Sequence, residues 1–439
     1  MTKQKVVLFH PRTLHEKNYR NFWIPYSVLS IGSQLSNKGY DIEIIDNNFE
    51  QRNPDEIVRD LTSPNLVGIS TMIGHQISEG MSFAAKIKEK FPGLLILFGG
   101  AAPTILPEQF LDSDYVDIVA RGQGEQTSIE IAETLKNQGN LEKILGISFK
   151  DKNGKMIHNK LRTPISRDLF TTYDYSLVNP QNYMRSDEHI SDKVLNHISS
   201  QGCPFGCGFC SEVALYNRRW TSESLERMMR EVSELVEQYG ADGIKFYDAN
   251  FFVNKRRTIS FANQVKTKGW KMKWAASAHP KNLLALSEDA LKLLQESGCS
   301  RILIGAESGN DEELEYINKN MTTEDVLEVA HRLEKAGIHG SFTVIVGYPG
   351  FPEENISRTL EFGKRIASIS SLHEVKAHVY APYPGTPLYQ DAIRHGFVAP
   401  KTLKDWANYD YYEVQTPWLK SKLTQEIREF NRNLCPYVL

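Results

Sequence analysis

The sequence predicts an α/β protein built from two sheets: an N-terminal Rossmann-like, doubly wound parallel sheet, and a second, barrel-like sheet of six βα units. Two observations predict it. Short apolar runs alternate with helical patterns through both halves. At 439 residues the chain is also too long for one ordinary hydrophobic core.

In the first half the apolar runs are VVLF (6–9), YDIEIID (40–46), LVGIS (66–70), LLILFGG (94–100) and YVDIVARG (115–122), with amphipathic stretches such as 78–90 between them. Five such strands alternating with helices imply an open parallel sheet. Its ligands sit outside the carboxyl ends of the strands, so the residues to read are Ser70 and Thr71, Gly99 and Gly100, then Gly122, Gln123, Gly124 and Glu125. Small and hydroxylated residues there make room for a large planar or tailed ligand. The same glycines also serve tight strand-to-helix turns. ILGISFKDKNGKMIHN then alternates in period two around Asn153-Gly154, a hairpin signal. Residues 161–189, with Pro164 and Pro180, read as a connector.

The second half opens on a strand at 197–200 and continues with runs at 243–248, 272–277, 301–307, 342–347 and 374–380. Helix ends are legible between them. Ser287 precedes Glu288 and Asp289, with Gly298 beyond the last turn; Thr322 pairs with Asp325, and Gly337 ends that helix. Six units are fewer than the eight of a closed barrel, so a wide lateral mouth is expected. The strand ends carry Tyr247, Asp248 and Asn250, then Glu307 and Ser308, then Gly347 and Pro349; Asp248 also suits a helix cap. The expected division is 1–140, a hairpin and linker at 141–190, a partial barrel at 191–398 and a helical, aromatic tail at 399–439.

The chemistry is carried by CPFGCGFC, which spaces Cys203, Cys207 and Cys210 as Cys-x3-Cys-x2-Cys. Three thiolates on one short loop hold three irons of a [4Fe–4S] cluster and leave the fourth iron open. Gly206 and Gly208 suit backbone angles that a Cβ forbids, Pro204 stiffens the entry and Phe209 shields the cluster edge. Zinc, a redox pair or chance are the competing readings, but zinc prefers four ligands and the remaining cysteines, Cys299 and Cys435, are isolated.

A net charge of −3 gives no electrostatic case for nucleic acid or an anionic membrane. Five cysteines, three in one motif, do not form a secreted disulfide framework, so a cytoplasmic location is expected. No apolar run is long enough to span a bilayer, and the N-terminus lacks signal-peptide architecture. The twelve histidines show no ligand spacing, and His378 reads as a core residue. Cys435 reads as an ordinary free cysteine, or as a second catalytic thiol if the tail folds over the site. Trp406, Tyr409, Tyr411, Tyr412 and Trp418 read as barrel-packing aromatics or a pocket cover.

These motifs resemble the cobalamin (B12)-binding radical SAM enzymes, which join an N-terminal B12-binding domain to a radical SAM (βα)6 partial TIM barrel. The cysteine loop is that family's defining motif, with Phe209 at its aromatic position. YDANFF is similar to the strand-two motif near S-adenosyl-L-methionine (SAM), GAESG to the strand-four segment, VIVGYPG to the strand-five motif, and YPGTPLY to a subgroup signature. The resemblance spans about residues 5–389. It implies that Tyr247, Asp248, Asn250, Glu307, Gly347 and Phe209 serve SAM, and that Ser70, Thr71, Gly99, Gly100, Gly122, Gly124 and Glu125 serve cobalamin. Asp46 is followed by Asn47 and Asn48, so the axial-histidine motif is absent and cobalamin is expected without a lower axial histidine. Methylthiotransferases are excluded because no cysteine precedes Cys203.

The resemblance further implies one-electron cleavage of SAM to a 5′-deoxyadenosyl radical, hydrogen abstraction from an unactivated carbon, and methyl delivery from methylcobalamin. The substrate would be a small molecule, lipid or tetrapyrrole-like compound, and the electron donor a flavodoxin or ferredoxin. A non-methylating reaction such as anaerobic oxidative cyclisation, or a non-catalytic B12 sensor, are the alternatives.

Overall fold

A computed structural model describes residues 3–13, 23–410, 414, 416–419 and 421–435. The chain divides into two compact units, one formed by Met1–Tyr183 with Pro400–Asp410, the other by Met184–Ala399 with Tyr411–Leu439.

The first unit is a seven-stranded sheet. Its strands are β1 (Lys5–His10), β2 (Asp41–Asp46), β3 (Leu66–Ser70), β4 (Ile96–Gly99), β5 (Ile118–Ala120), β6 (Ile147–Lys150) and β7 (Met156–His158), in the order 2-1-3-4-5-6-7. β1 to β5 run parallel. Val6, Val7, Leu8 and Phe9 are all buried, as a strand covered by helices on both faces requires. The hairpin predicted around Asn153-Gly154 forms and extends the sheet, β6 pairing antiparallel with β5. The strand order reverses between β1 and β3, which is the switch point where such sheets open a ligand crevice.

The second unit holds β8 (Arg185–Asp187), β9 (Ser191–His197), β12 (Gly243–Phe246), β13 (Lys273–Ala278), β14 (Cys299–Glu307), β15 (His339–Val346) and β16 (His373–Val379) in one sheet; β10 (Ser200–Gly202) and β11 (Trp220–Ser222) form a separate antiparallel pair. β9 and β12 to β16 are the six parallel strands expected, and β8 adds an antiparallel edge. The first barrel strand is therefore Ser191–His197 and not residues 197–200. The polypeptide leaves the barrel after His197, makes β10, and only then enters the cysteine loop.

One face of this sheet is apolar: Ile244, Phe246, Trp274, Ala276, Ile302, Ile304, Phe342, Val344, Val375 and Ala377 are buried beneath the helices. Strand register places Lys245, Arg301, His339, Ser341, Glu374, Lys376 and His378 on the other, concave face. The predicted caps form, Ser287 accepting from Ala290 N and Thr322 closing a capping box with Asp325 before a left-handed Gly337. At the open edge Asn431, on the helix Ser421–Leu434, accepts from Ala377 N at 2.7 Å and donates to Ala377 O at 2.9 Å. Its amide thereby stands in for a missing strand.

The tail is not one element. Trp406 is buried in the first unit, where its carbonyl accepts from Gly74 N at 3.1 Å and its ring meets Tyr409. That corrects the expectation of packing on the barrel, because residues 400–410 fold with the first unit. Trp418 does reach the barrel unit, donating to Gly347 O at 2.8 Å. Tyr411 and Tyr412 lie outside the described residues.

Candidate active site

Cys203, Cys207 and Cys210 follow β10 and share one buried neighbourhood without a disulfide. The loop is pinned by backbone: Gly208 N donates to Ile317 O at 2.7 Å, Leu388 N donates to Gly208 O at 2.9 Å, and Cys210 N donates to Cys207 O at 3.1 Å. Gly206 and Gly208 do not take left-handed angles, contrary to expectation. They are instead closely approached by side chains, since a Cβ would lie 2.8 Å from Asn318 Nδ2 at Gly206 and 2.9 Å from Leu388 Cγ at Gly208. The left-handed glycine is Gly202, where a Cβ would lie 2.1 Å from Arg219 O.

Burial first, then a nearby carboxylate (Glu307 for Cys207, Glu212 for Cys210) and the neighbouring sulfurs, raises the thiols, Cys207 to about 11 and Cys210 to about 12; Cys203 rises through burial. Protonated thiols crowded in a dry loop lose their protons when iron binds, so the donor set fits a cluster. Lys319 supplies the compensating charge. Burial alone would depress it, but Glu307, Cys207 and Cys210 hold it above the usual lysine range. Its Nζ is 2.7 Å from Glu307 Oε1 and 5.9 Å from the centre of the Phe209 ring.

Glu307 itself sits at a β-bulge at the end of β14 with φ of 62°. A left-handed non-glycine residue beside a bulge is a strained device for aiming a side chain. Asn250 places Nδ2 2.8 Å from Asn282 Oδ1 and 4.0 Å from Cys203 Sγ, while its buried Oδ1 has no partner among the described residues. That acceptor is available to a donor group of SAM.

Asp248 is placed differently from the SAM role expected for it. Its buried carboxylate accepts from Ser199 N at 2.8 Å, Ser199 Oγ at 2.7 Å and Ser200 Oγ, with Arg257 3.6 Å away. It anchors the turn into the cysteine loop. Tyr247 is exposed at the end of β12, and Gly347, with φ of 77°, ends β15 before the buried Tyr348.

Three further residues escaped the sequence reading. Phe205 stacks on His279 with ring centroids 3.7 Å apart. His279 Nε2 donates to Lys319 O at 3.1 Å and Nδ1 accepts from Lys281 N at 3.2 Å, a neutral tautomer; burial and then Lys319 lower its pKa to about 3. Glu212, two residues past Cys210, is pushed up to about 7 by burial. Phe205, inside the cysteine motif, and Glu212, just beyond it, carried a signal in their closeness to the ligands; His279 carried none.

In the first unit Ser70 and Thr71 close β3, Gly99 and Gly100 close β4, and Gly122 and Gly124 follow β5. Thr71 N donates to Gly99 O at 2.9 Å and Ala102 N to Thr71 O at 3.1 Å, locking the two strand ends together. Gly100 has φ of 95°, and a Cβ there would lie 2.7 Å from Thr71 O. Around Gly122 a Cβ would meet nothing within 4 Å. The result is a strand-end surface rich in glycine and small hydroxylated residues, with a buried Thr71 Oγ1 that has no partner among the described residues. Such a surface fits a large planar ring. Glu125 instead anchors the helix Glu125–Lys136: its carboxylate accepts from Ser30 Oγ at 2.8 Å and lies 3.9 Å from Arg167. At the switch point His10 Nδ1 is 3.0 Å from Asp46 Oδ1, and Asp46 also caps Asn48.

The Radical SAM superfamily profile matches residues 197–363, and the B12 binding domain profile matches residues 17–132. The chain belongs to the cobalamin-binding radical SAM enzymes. It is 28% identical over 84% of its length to an uncharacterized methyltransferase of Pyrococcus horikoshii, covering 79% of that protein. It is 25% identical over 91% of its length to the anaerobic magnesium-protoporphyrin IX monomethyl ester cyclase of Cereibacter sphaeroides, of which it spans 64%. It is 22% identical over 94% of its length to the hopanoid C-3 methylase of Methylococcus capsulatus, covering 76% of it. Its fold is that of the radical S-adenosylmethionine methyltransferase TsrM from Kitasatospora setae, solved with cobalamin and a [4Fe–4S] cluster, at a TM-score of 0.72 and 16% identity over 90% of this chain and 75% of that one. Among the described residues no helix is long and apolar enough to cross a membrane.

Proposed function

We propose that the protein is a cobalamin-dependent radical SAM methyltransferase acting on an unactivated carbon of a small molecule. The observation that carries this reading is the pairing, in one chain, of a three-cysteine loop on a partial barrel with a B12 binding domain. When bound, the cluster and SAM supply one-electron cleavage of a sulfonium, and cobalamin supplies the methyl group.

Cys203, Cys207 and Cys210 hold the cluster, and Lys319 offsets its negative charge while Glu307 fixes Lys319. Asn250 Oδ1, whose amide lies beside Cys203, would accept from a donor group of SAM. Phe209 and the Phe205–His279 stack keep water from the sulfurs. Tyr247 and Gly347 complete the SAM surface, while Asp248 acts through Ser199 and Ser200 as a positioning residue. Ser70, Thr71, Gly99, Gly100, Gly122 and Gly124 receive cobalamin, with Glu125 holding their helix in place. A flavodoxin- or ferredoxin-type protein in a reducing cytoplasm delivers the electron.

The cyclase likeness favours one second reading, an oxidative cyclisation without methyl transfer. Anaerobic turnover of the reconstituted protein with methyl-deuterated SAM and a small-molecule extract separates the two. Methyl transfer produces S-adenosylhomocysteine together with 5′-deoxyadenosine and a deuterium-labelled product. Formation of 5′-deoxyadenosine alone, with no labelled product, would overturn it.

A further inference from the structure

Resting on the one-electron chemistry proposed for the cysteine loop, we infer that the turn at 217–219 is the docking point for an acidic one-electron carrier protein. Arg218 and Arg219 are its charged contacts. One electron passes from the reduced carrier to the cysteine loop, and the carrier leaves oxidised by one electron.

The turn belongs to the hairpin that carries the cysteines. β10 leads into the loop, the helix Ser211–Tyr216 follows it, and residues 217–219 return the chain to β11. Asn217 caps that helix in a left-handed conformation, with φ of 48° and ψ of 50°, and Arg218 is left-handed as well, with φ of 59°. Asparagine tolerates such angles, but for arginine they are unfavourable. The strained residue is placed over the loop: a Cβ at Gly206 would lie 3.2 Å from Arg218 Nε and 3.3 Å from its Cζ. The guanidinium therefore lies against bare backbone one residue before Cys207.

Both arginines are exposed, and among the described residues neither side chain has a hydrogen bond or an ion pair. Lys319, buried beside the same loop, is by contrast neutralised by Glu307. On the other flank of Gly206 stands a neutral amide, Asn318 Nδ2, which donates to Gly206 O at 2.8 Å. Glu315, the exposed acid whose carbonyl accepts from Asn318 N, pairs with neither arginine. In a chain of net charge −3, two adjacent unpaired cations over the redox loop form a local positive patch. A carboxylate-rich surface supplies the missing counter-charge, since guanidinium groups bind carboxylates through paired, charge-assisted hydrogen bonds. Opposite charge also steers the encounter, and electron-transfer interfaces are small and transient, so a compact contact suffices. Cys203 and Cys210 are not fully buried, so a carrier seated here stands close to the sulfurs.

The test uses the full-length, cluster-reconstituted protein and an acidic flavodoxin reduced to its hydroquinone. Calorimetry reads binding, and electron paramagnetic resonance of freeze-quenched samples reads cluster reduction. Reduced methyl viologen, a small cation, serves as the parallel reductant. Arg218→Gly removes one charge at a left-handed position that glycine prefers, so the turn keeps its fold. Arg219→Glu reverses the other charge. Each variant is expected to weaken flavodoxin binding and slow flavodoxin-driven reduction at least about fivefold at low salt, and the double variant at least about twentyfold. The parent's own rate should fall as ionic strength rises from roughly 0.01 M to roughly 0.15 M. Iron content and reduction by methyl viologen stay at the parent values. Flavodoxin failing to bind the parent overturns the docking point, and so does unchanged binding in the double variant. An equal loss with methyl viologen at unchanged flavodoxin binding also overturns it, because the arginines then act on the cluster itself. A DNA duplex that binds the parent as tightly as flavodoxin does, and loses that binding in the double variant, would show a polyanion patch instead. Absence of a labelled methyl product in turnover overturns the proposed methyl transfer and leaves these readouts standing; if no cluster forms, calorimetry on the cluster-free chain decides.

Discussion

Lys319 shows how one buried charge organises the candidate active site. It sits in a dry pocket between Glu307 and the sulfurs, so removing it strands a carboxylate that solvent cannot reach. Lys319→Met is expected to cost about 3–5 kcal/mol, read as a lowered urea midpoint of the cluster-free protein, and to reduce iron retained on reconstitution. His279 makes a pH prediction. Its folded pKa, about 3 through burial and then Lys319, lies below its ordinary value, so between the two the unfolded chain binds the extra proton. Its stability contribution is complete above the ordinary histidine pKa of about 6.5 and is lost as pH falls from there through about 3. The melting temperature of the parent should therefore fall over that window more steeply than that of His279→Phe. Neither residue was legible in the sequence. His279 directly follows β13 and Lys319 joins the helices Asp311–Tyr316 and Thr323–Ala336, and only their packing against the cysteine loop gives them their surroundings. Asp248 teaches the converse, since a strand-end acid in a recognisable motif turned inward to hold two serines.

At the scale of the element, register and edges decide. The sequence spacing located the strands and the helix caps because periodicity and capping are local properties. It missed β10, a short polar strand that pairs with β11, and so misplaced the first barrel strand, β9. The open edge of a six-stranded barrel needs cover, and Asn431 provides it by bonding both polar groups of Ala377. Asn431→Ala leaves those groups to weak or no partners and is expected to destabilise the protein by about 1–3 kcal/mol. Urea unfolding followed by circular dichroism measures it, and an unchanged midpoint would show that the edge is otherwise satisfied.

The whole molecule consists of two units with separate cofactor chemistries, and substitutions should reflect that separation. Gly100→Val forces a side chain onto a left-handed residue against Thr71 O and is expected to abolish cobalamin uptake at a cost of about 1–3 kcal/mol. Iron and sulfide content after reconstitution should match the parent, and parallel metal and cobalamin analysis checks both. By itself the sequence determined the two-sheet α/β architecture, the three cluster cysteines and the bare glycine strand ends. Each of these is written in periodicity or in spacing along a short segment. Only the tertiary structure decided which acids face the cysteines, what holds Lys319 charged, how the barrel edge is closed, and that His189, His339 and Cys435 meet at the Glu374 carboxylate. Those residues are separated by up to hundreds of positions, and contacts at that distance are fixed by strand order and register, which no local pattern encodes.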